Sequence, residues 1–546
     1  MNAIDLRLFG SRLQAICNEM GIALRRAAFS PNIKDRLDFS CAVFAPDGRL
    51  LAQAAHIPVH LGSMAFAMRD LVQRFSWDCN GAVILNDPFL GGTHLPDVTL
   101  ITPVFAGGDA ASAQPIAFVV NRAHHANIGA AEPGSMPVSR SLAEEGVLIA
   151  PQWLLRDDVL QGPARIPLAE IAGVGSTGDM PANAPPQDGL PAQHQLLQHQ
   201  LLQHAGLADL RAQISANTLG RARVETLFAS AAAASWAEAL LALDAYAERV
   251  ARAAYALLPD GEAHHADVLD DDGQGNLDLP IALRVRVSGS DIDVDFTGTA
   301  AQVAGNVNCP LSVTAAAVFY VFRCLLAADA PACAGTFAPI RIHAQQGALV
   351  HARAPAAVAA GNVETSMRIV DVLLGALAKL QPGGFPAASQ GTMNNVAMGA
   401  RTASGRWDYY ETIAGGHGAG PTAAGLNARH AHMTNTLNTP IESLEAHYPL
   451  RIRRYARRIA SGGAGLHDGG NGVEKEFEFL APTRVSLLTE RRRHGPYGLV
   501  GGAPGARGEN LLNGVPLGGK VAFNAEAGDR LLIRTPGGGG FGMKQR

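Results

Sequence analysis

The amino-acid sequence predicts a mixed α/β fold of the α+β type, divided into several domains. The chain has 546 residues, more than one hydrophobic core normally holds. Segments whose apolar residues recur at helical intervals are interspersed with short segments that alternate apolar and polar residues, as strands do. The 60 glycines cluster toward the end of the chain, where they indicate turns and close backbone contacts.

These patterns divide the chain into three regions. Residues 1–205 are predicted to form an α/β region that bears a candidate metal site. Residues 206–460 are predicted to be helix-rich and to contain a sheet. Residues 461–546 alternate glycine-rich turns with short strand patterns and are predicted to form a β-rich C-terminal module.

The first region begins with an amphipathic pattern over residues 4–28, which predicts a helix that ends before Pro31. Two alternating segments, Phe39–Phe44 and Leu50–Ala54, flank an Asp-Gly pair and predict a β-hairpin. A helix is expected over residues 62–75, followed by a short buried strand with the sequence AVIL.

A second predicted hairpin carries the residues with the clearest chemistry. The run VTLITPVF follows His94 and Asp97, and the run PIAFVV leads to His124 and His125. Two antiparallel strands joined by a hairpin bring these pairs together, and two imidazoles with a carboxylate are typical ligands of a catalytic metal. The alternative is a hydrogen-bonded histidine cluster without a metal.

Another histidine pair, His56 and His60, lies in the run AAHIPVHLGSM. No acidic residue nearby completes a metal-binding pattern, and Pro58 lies between the two. Each side chain therefore either lines the site or packs in the core.

Strong helical patterns resume over residues 207–257, and the run IALRVRVSGSDIDVDFTGTA predicts a hairpin. Helices are expected at 311–328 and 363–380, each after a Gly-Asn-Val element, GNVNCP and GNVETS. Residues 175–205 contain a Pro- and Gly-rich stretch and the duplication HQLLQ-HQLLQ-H, which indicate a polar insertion rather than a metal site.

Composition excludes several classes of function. The net charge is −4 and no basic stripe exists, so neither nucleic acid nor an anionic membrane is an expected partner. The six cysteines form no CxxC motif, and the chain contains neither a signal-peptide pattern nor a run of about 18 apolar residues. A cytoplasmic protein with reduced thiols is predicted.

No credible nucleotide-binding motif is present. The run GVPLGGKV resembles a phosphate loop, but Val521 replaces the Ser or Thr that would bind magnesium. The residues after it form a strand pattern rather than the helix whose N-terminus would hold phosphate. The sequence therefore predicts no nucleotide site on this chain.

Many runs in this sequence resemble the hydantoinase B/oxoprolinase family, in the same order and almost end to end. They are SPNIKDRLDFSCAVF, HIPVHLGSM, NDPFLGGTHLPDVTLITPVF, NRAHHANIG, EGVLI, GNVETSMRIVDVL, QGTMNN, ETIAGGHGAGP, HMTNTLNTPIE, SGGAGLHDGGNGV, LLTERRR and TPGGGGFG. The family includes the B subunit of ATP-dependent N-methylhydantoinase, half of 5-oxoprolinase, caprolactamase and a subunit of acetone and acetophenone carboxylases.

This resemblance implies a division of labour. A partner of the hydantoinase A type binds ATP and phosphorylates the carbonyl oxygen of a cyclic amide, and the B subunit opens the ring with a bound metal. The family's metal ligands correspond to Asp38, His94, Asp97 and His124. A divalent ion such as manganese, zinc, iron or cobalt suits this set, and a hetero-oligomer of the two subunits is expected.

The resemblance also leaves alternatives. His125 adjoins a ligand and is a candidate to move a proton or hold the substrate, although neighbouring strand residues face opposite ways. The chain could instead belong to a ketone carboxylase of the acetone or acetophenone carboxylase type. A third interpretation is a non-catalytic scaffold for the ATP-binding chain, which the intact set of predicted ligands disfavours.

Overall fold

A computed structural model provides the structure of the chain. It describes residues 3–544 except 61, 79, 109–113, 131, 158, 162–204, 231–232 and 403–404. Most of the predicted polar insertion at 175–205, including the HQLLQ duplication, lies outside these residues.

The N-terminal region is built on a seven-stranded sheet in the order β2-β1-β5-β4-β3-β6-β7, with antiparallel neighbours. Its strands are β1 (Phe39–Phe44), β2 (Leu50–Ala55), β3 (Ala82–Leu85), β4 (Asp97–Val104), β5 (Ala117–His124), β6 (Gln152–Arg156) and β7 (Val159–Leu160). The early helices are α1 (Ala3–Ala27), α2 (Pro31–Lys34), α3 (Ser63–Arg74), α4 (Ala205–Ala229) and α5 (Ala233–Tyr255). The antiparallel strand pairing of both hairpins predicted for this region is confirmed.

Both faces of this sheet are covered, so its central strands are buried throughout. On one face, Val119 and Ala123 of β5 pack in a core with residues of α1 and α4. On the other, Phe118 and Val120 pack against methionines of α3. Because successive side chains of β5 point to opposite faces of the sheet, residues one position apart pack against different helices.

The middle of the chain combines a four-stranded sheet, β11-β10-β9-β8, with buried helices. Its elements are β8 (Gly261–Asp271), β9 (Leu277–Ser288), β10 (Asp291–Asp295), α6 (Leu311–Arg323), α7 (Ala334–Phe337), β11 (Ile340–His343) and α8 (Ser366–Leu380). A π-helical turn, Gly361–Thr365, precedes α8. Such turns are rare and frequently occur at functional sites.

The remaining strands form two further sheets, β13-β12-β16-β19 and β14-β15-β20-β17-β18. Their elements are β12 (Asn395–Thr402), β13 (Gly405–Glu411), α9 (Ile441–His447), β14 (Leu450–Arg457), β15 (Val473–Phe479), β16 (Thr483–Leu488), β17 (Glu509–Leu512), β18 (Val515–Leu517), β19 (Lys520–Ala525) and β20 (Arg530–Arg534). Since β14 pairs with β15, the boundary predicted at residue 460 falls between two neighbouring strands of one sheet. The three-part division stays a prediction.

Glycine-rich segments near the C-terminus pack backbone against backbone. A Cβ atom on Gly470 would lie 2.0 Å from the carbonyl oxygen of Leu426, and one on Gly538 would lie 1.9 Å from that of His417. No larger residue fits at these two positions, because the contact is made by main chain that cannot rotate away. The glycine clusters of the sequence therefore lie where two backbone segments are in close contact, as predicted.

The structure confirms the mixed α/β, multidomain fold class. The run that resembles a phosphate loop lies on β18 and β19, and a strand rather than a helix follows it. Among the described residues, no helix is long and apolar enough to cross a bilayer.

Candidate metal centre

The loop before β4 places the first two candidate ligands. Gly91 has φ +86°, and a Cβ on Gly92 would lie 2.4 Å from the carbonyl oxygen of Asp87, so both positions require glycine. The loop is held from outside, because Arg122 Nη2 donates to the carbonyl of Gly91 (2.9 Å) and Ser312 Oγ donates to that of Gly92 (2.6 Å). His94 therefore projects from a fixed backbone.

The antiparallel register of β4 and β5 supplies the third candidate ligand. Asp97 lies directly opposite His124 in this register. His94 Nε2 is 3.1 Å from Asp97 Oδ1 and 3.2 Å from His124 Nδ1, and the latter two atoms are 3.3 Å apart. The sequence prediction that the hairpin gathers these side chains is confirmed. We call His94, Asp97 and His124 the metal triad.

The triad fits a divalent metal. All three residues are buried, and Asp97 Oδ1 has no hydrogen-bond partner among the described residues. Ligand atoms about 2.0–2.2 Å from a common ion lie about 2.8–3.6 Å from each other between octahedral and tetrahedral angles, and the three spacings fall in this range. Two imidazole nitrogens and one carboxylate oxygen suit manganese, iron, cobalt or zinc.

Asp38 lies beside the triad, outside its tight group. Its Oδ2 atom is 3.9 Å from His124 Nδ1 and 3.7 Å from Arg36 Nη2. The His124 main-chain N–H donates to the Asp38 carbonyl at 3.0 Å, which fixes the two residues side by side. The predicted role of Asp38 as a fourth ligand stays a prediction.

The structure does not bring His125 to the triad. His125 Nε2 lies 2.9 Å from Gln213 Oε1 on α4, which covers one face of the sheet. Arg122, two positions before His124 and on the same face as it, bonds Ser63 at the start of α3, which covers the other face. Successive strand residues face opposite sides, so His125 points away from His124. This contact favours a structural role for His125, and its predicted catalytic role stays untested.

Several residues around the triad were not found from the sequence. The ring of Tyr410 stacks on His124 with 4.9 Å between centroids and 4° between planes, and the Arg36 guanidinium lies 4.6 Å from the Tyr410 centroid. Tyr410 Oη donates to Asn395 Oδ1 (2.7 Å), and Asn395 Nδ2 donates to Glu364 Oε1 (2.7 Å). Asn395 and Glu364 lie in runs that carry the family resemblance, whereas no local pattern marks Tyr410.

Burial and charge shift the titration of these groups. Burial alone would lower the pKa of His94, but the carboxylates of Asp97, Asp38 and Glu145 outweigh it and raise that pKa above its ordinary value. For His124 the burial effect prevails and the pKa falls. Burial alone would raise the pKa of Asp97, yet His94 and His60 hold it well below its usual range, so Asp97 stays ionised and able to bind a cation.

Comparison with known proteins gives this site a context. Residues 2–544 match the family model described as hydantoinase B/oxoprolinase. The chain belongs to the hydantoinase B/oxoprolinase family. This confirms the resemblance drawn from the sequence, and it holds over nearly the whole length of the chain.

The curated relatives fall into two groups by length. This chain is 38% identical to 5-oxoprolinase 1 of Arabidopsis thaliana over 99% of this chain and 42% of the relative. It is 35% identical to 5-oxoprolinase of Saccharomyces cerevisiae over 100% of this chain and 42% of the relative. The B subunit of a putative D-/L-hydantoinase from Pseudomonas sp. is 28% identical, over 99% of this chain and 90% of the relative. The chain thus spans about two fifths of the 5-oxoprolinases.

Two solved structures share the fold. The ATP-dependent caprolactamase from Pseudomonas jessenii superposes with a TM-score of 0.86 at 22% identity, over 100% of this chain and 91% of that one. The nucleotide-free acetone carboxylase gives 0.80 at 18% identity, over 99% and 76%. The architecture is therefore common to a protein named caprolactamase and one named acetone carboxylase.

His60, which lies outside the metal triad, orients Asp97. Asp97 Oδ2 accepts a hydrogen bond from Thr93 Oγ1 and lies 3.3 Å from His60 Nε2, while His60 Nδ1 lies 3.1 Å from Ser40 Oγ. One oxygen of Asp97 is thus held by the protein, and the other faces His94 and His124. His60 contacts the site, one of the two roles left open by the sequence.

We expect His60→Leu to weaken metal binding about 10- to 100-fold, because partners that orient a metal ligand contribute effects of that size. Dissociation constants measured by chelator competition test this. His56→Leu is the matched control, since His56 packs on Phe39 and hydrogen-bonds the Ala54 carbonyl instead. Equal affinities for the His60 and His56 variants would contradict the assignment.

Proposed function

We propose that this chain is the metal-dependent catalytic B subunit of an ATP-dependent cyclic amide hydrolase. Its substrate is a hydantoin, oxoproline or lactam that a hydantoinase A-type ATP-binding subunit has phosphorylated. The observation that carries the proposal is the metal triad, whose three ligand atoms lie 3.1–3.3 Å apart in a buried site. The names of the 5-oxoprolinase relatives support the choice of a cyclic amide.

The size of the relatives supports a separate ATP-binding partner. This chain corresponds to about two fifths of the 5-oxoprolinases, but to most of the Pseudomonas hydantoinase relative. The run that resembles a phosphate loop lies on strands. We therefore assign ATP to the partner and expect a hetero-oligomer.

A cytoplasmic location is part of the proposal and is supported by the free thiols of Cys17, Cys41, Cys309 and Cys333.

The chemistry follows from the substrate and the site. An amide carbonyl is a poor electrophile because its nitrogen donates into it, and phosphorylation of its oxygen removes that donation and creates a leaving group. A divalent ion held by the triad would polarise the substrate and acidify a water molecule. His60 and Thr93 orient Asp97, and Tyr410 fixes the plane of the His124 ring. Burial keeps bulk water from the activated substrate.

The alternative is a subunit of an ATP-dependent ketone carboxylase, which the fold shared with acetone carboxylase accommodates. The fold is equally shared with caprolactamase, so it does not separate the two reactions. A non-catalytic scaffold would have no use for three buried ligand atoms that converge on one point.

The proposal is tested by combining this chain, its ATP-binding partner, ATP and a divalent metal with 5-oxoproline, hydantoin or caprolactam. A parallel reaction contains acetone and labelled bicarbonate. We expect ATP-dependent formation of a ring-opened acid from at least one cyclic amide, measured by mass spectrometry. Fixation of labelled carbon without ring opening would favour the carboxylase, and the absence of both products would contradict the proposal.

A further inference from the structure

A cavity of about 430 Å³ lies beside the loop that carries His94. Its walls come from three separate parts of the chain: the end of α3, the loop before β4 together with the start of α6, and residues 346–354. A space of this size holds a small organic molecule. The metal triad does not use it, because His94, Asp97 and His124 are not among the described residues that line it.

The charged groups on the cavity walls are mostly cationic. Arg74 and Arg353 supply two guanidinium groups, whereas Asp70 is the one acidic residue among the described residues that line the cavity. Arg74 and Asp70 lie one turn apart on α3, and Arg74 Nη2 is 3.9 Å from Asp70 Oδ2, which is too long for a hydrogen bond. At least one guanidinium on these walls therefore has no carboxylate to compensate it.

Arg353 is held in place by uncharged partners. Its main-chain N–H donates to Gln302 Oε1 at 2.9 Å, and its Nη2 atom donates to the carbonyl oxygen of Gln346 at 3.1 Å. A guanidinium has five N–H groups, and a single carbonyl leaves most of them available. The protein therefore fixes the position of this cation and leaves its charge and most of its donors to a ligand.

The rest of the cavity combines apolar walls with one histidine. Phe89, Leu90 and Leu311 contribute apolar surface. His351 Nδ1 lies 2.9 Å from the carbonyl oxygen of Ala344. Because a carbonyl can only accept, Nδ1 carries a proton, and Nε2 can accept a hydrogen bond or, once the ring is protonated, donate one. The walls therefore suit a molecule that has an apolar body and a negatively charged polar group.

The cavity also reaches the two residues that anchor the loop before β4. Gly91 and Ser312 both line it. The carbonyl of Gly91 accepts from Arg122 Nη2 at 2.9 Å, and Ser312 Oγ donates to the carbonyl of Gly92 at 2.6 Å. His94 follows Gly92 by two residues. A molecule in the cavity would thus pack against the backbone that positions His94 without contacting the triad itself.

We propose that this cavity binds a small organic oxyanion, in which a carboxylate or phosphate group is attached to an apolar body. Arg353 and Arg74 bind the oxyanion, because guanidinium groups match the geometry of carboxylate and phosphate oxygens. The apolar walls cover the body of the molecule. This is a second site, separate from the metal centre, and it does not depend on the proposed reaction.

Benzoate, phenyl phosphate and benzamide test the proposal, because they share an aromatic ring and benzamide alone is uncharged. In calorimetric titrations of the full-length, metal-loaded chain, we expect at least one of the two anions to bind about tenfold or more tightly than benzamide, since one hydrogen bond to a charged group contributes that much. The anion that binds more tightly identifies the group as carboxylate or phosphate. Equal binding of all three compounds would overturn the proposal.

Substitutions separate this cavity from the metal centre, which could also attract an anion. Arg353→Leu should reduce the preference for the anion, and the double variant Arg74→Leu/Arg353→Leu should bring it close to one. Both arginines are exposed, so neither change is expected to unfold the chain. Asp97→Ala should keep the preference, and wild type freed of metal replaces that variant if it does not fold.

Arg341 provides a matched control outside the cavity. Its side chain is 73% exposed, and its Nη1 atom lies 3.7 Å from Asp293 Oδ1. Arg341→Leu removes the same charge and should leave the preference for the anion unchanged. A preference that persists in the double variant, or that is lost in Arg341→Leu or on loss of the metal, would overturn the proposal.

Discussion

Asp97→Ala is expected to abolish stoichiometric metal binding and to lower ring-opening activity by about three orders of magnitude or more. Asp97 contributes the only carboxylate of the tight triad and lies within 3.3 Å of both histidine nitrogens. Without it, the tight group keeps two imidazoles and no carboxylate, and Asp38 lies 3.9 Å from His124 Nδ1, so holding a dication in this buried site becomes unfavourable. Metal content of the purified variant by mass spectrometry and the coupled assay with the partner measure both effects.

Asp87 offers the matched control on the same loop. Its Oδ1 accepts from the N–H of Phe89 at 2.9 Å and caps a short turn. Asp87→Asn should therefore retain the metal. His94→Ala should behave like Asp97→Ala, because it removes another member of the triad. Stoichiometric metal in both triad variants would show that the site is assigned wrongly.

Lys475→Met is expected to destabilise the chain by about 3–5 kcal/mol, which is the usual penalty for leaving one partner of a buried ion pair alone. Lys475 Nζ lies 2.5 Å from Glu411 Oε2, and the two side chains are 1% and 0% exposed. Glu411 ends β13, the strand that carries Tyr410, and Lys475 lies on β15 of the next sheet. Urea unfolding followed by fluorescence gives the change in free energy.

Two further variants show whether burial causes this loss. Arg454→Met removes a pair whose cation is exposed: Arg454 Nη2 lies 2.6 Å from Glu474 Oε2, and the two side chains are 56% and 14% exposed. Glu474 keeps Arg534 Nε at 3.2 Å, so no buried charge is left alone. It should change the free energy of unfolding by about 1 kcal/mol or less. The double variant Lys475→Met/Glu411→Gln should recover part of the stability, since no charge is then left buried. Equal effects of Lys475→Met and Arg454→Met would contradict the expectation.

Local patterns predicted much of the fold and the centre of the site. The alternation around the Asp-Gly pair marked β1 and β2, and the two apolar runs marked β4 and β5 together with their antiparallel pairing. That pairing alone sets Asp97 opposite His124. Short-range periodicity was sufficient here because both candidate ligands lie on neighbouring antiparallel strands.

Contacts between distant segments could not be predicted in this way. Tyr410 stacks on His124, which lies about half the chain length away in sequence, and nothing in the run DYYETI distinguishes Tyr410 from its neighbour Tyr409. The choice between the two roles of His60 also depended on where the loop before α3 lies relative to β4. The pairing of β14 with β15 crosses a glycine-rich stretch that reads as a boundary in the sequence.

The most direct test of the proposed division of labour measures ADP and ring-opened product separately. The ATP-binding partner, ATP and a cyclic amide are incubated alone, with the metal-loaded chain, or with its Asp97→Ala variant. We predict that ring-opened product forms only with the metal-loaded wild-type chain. Ring opening at the same rate by the partner alone, or with the Asp97→Ala chain, would show that this chain does not carry out the second half of the reaction.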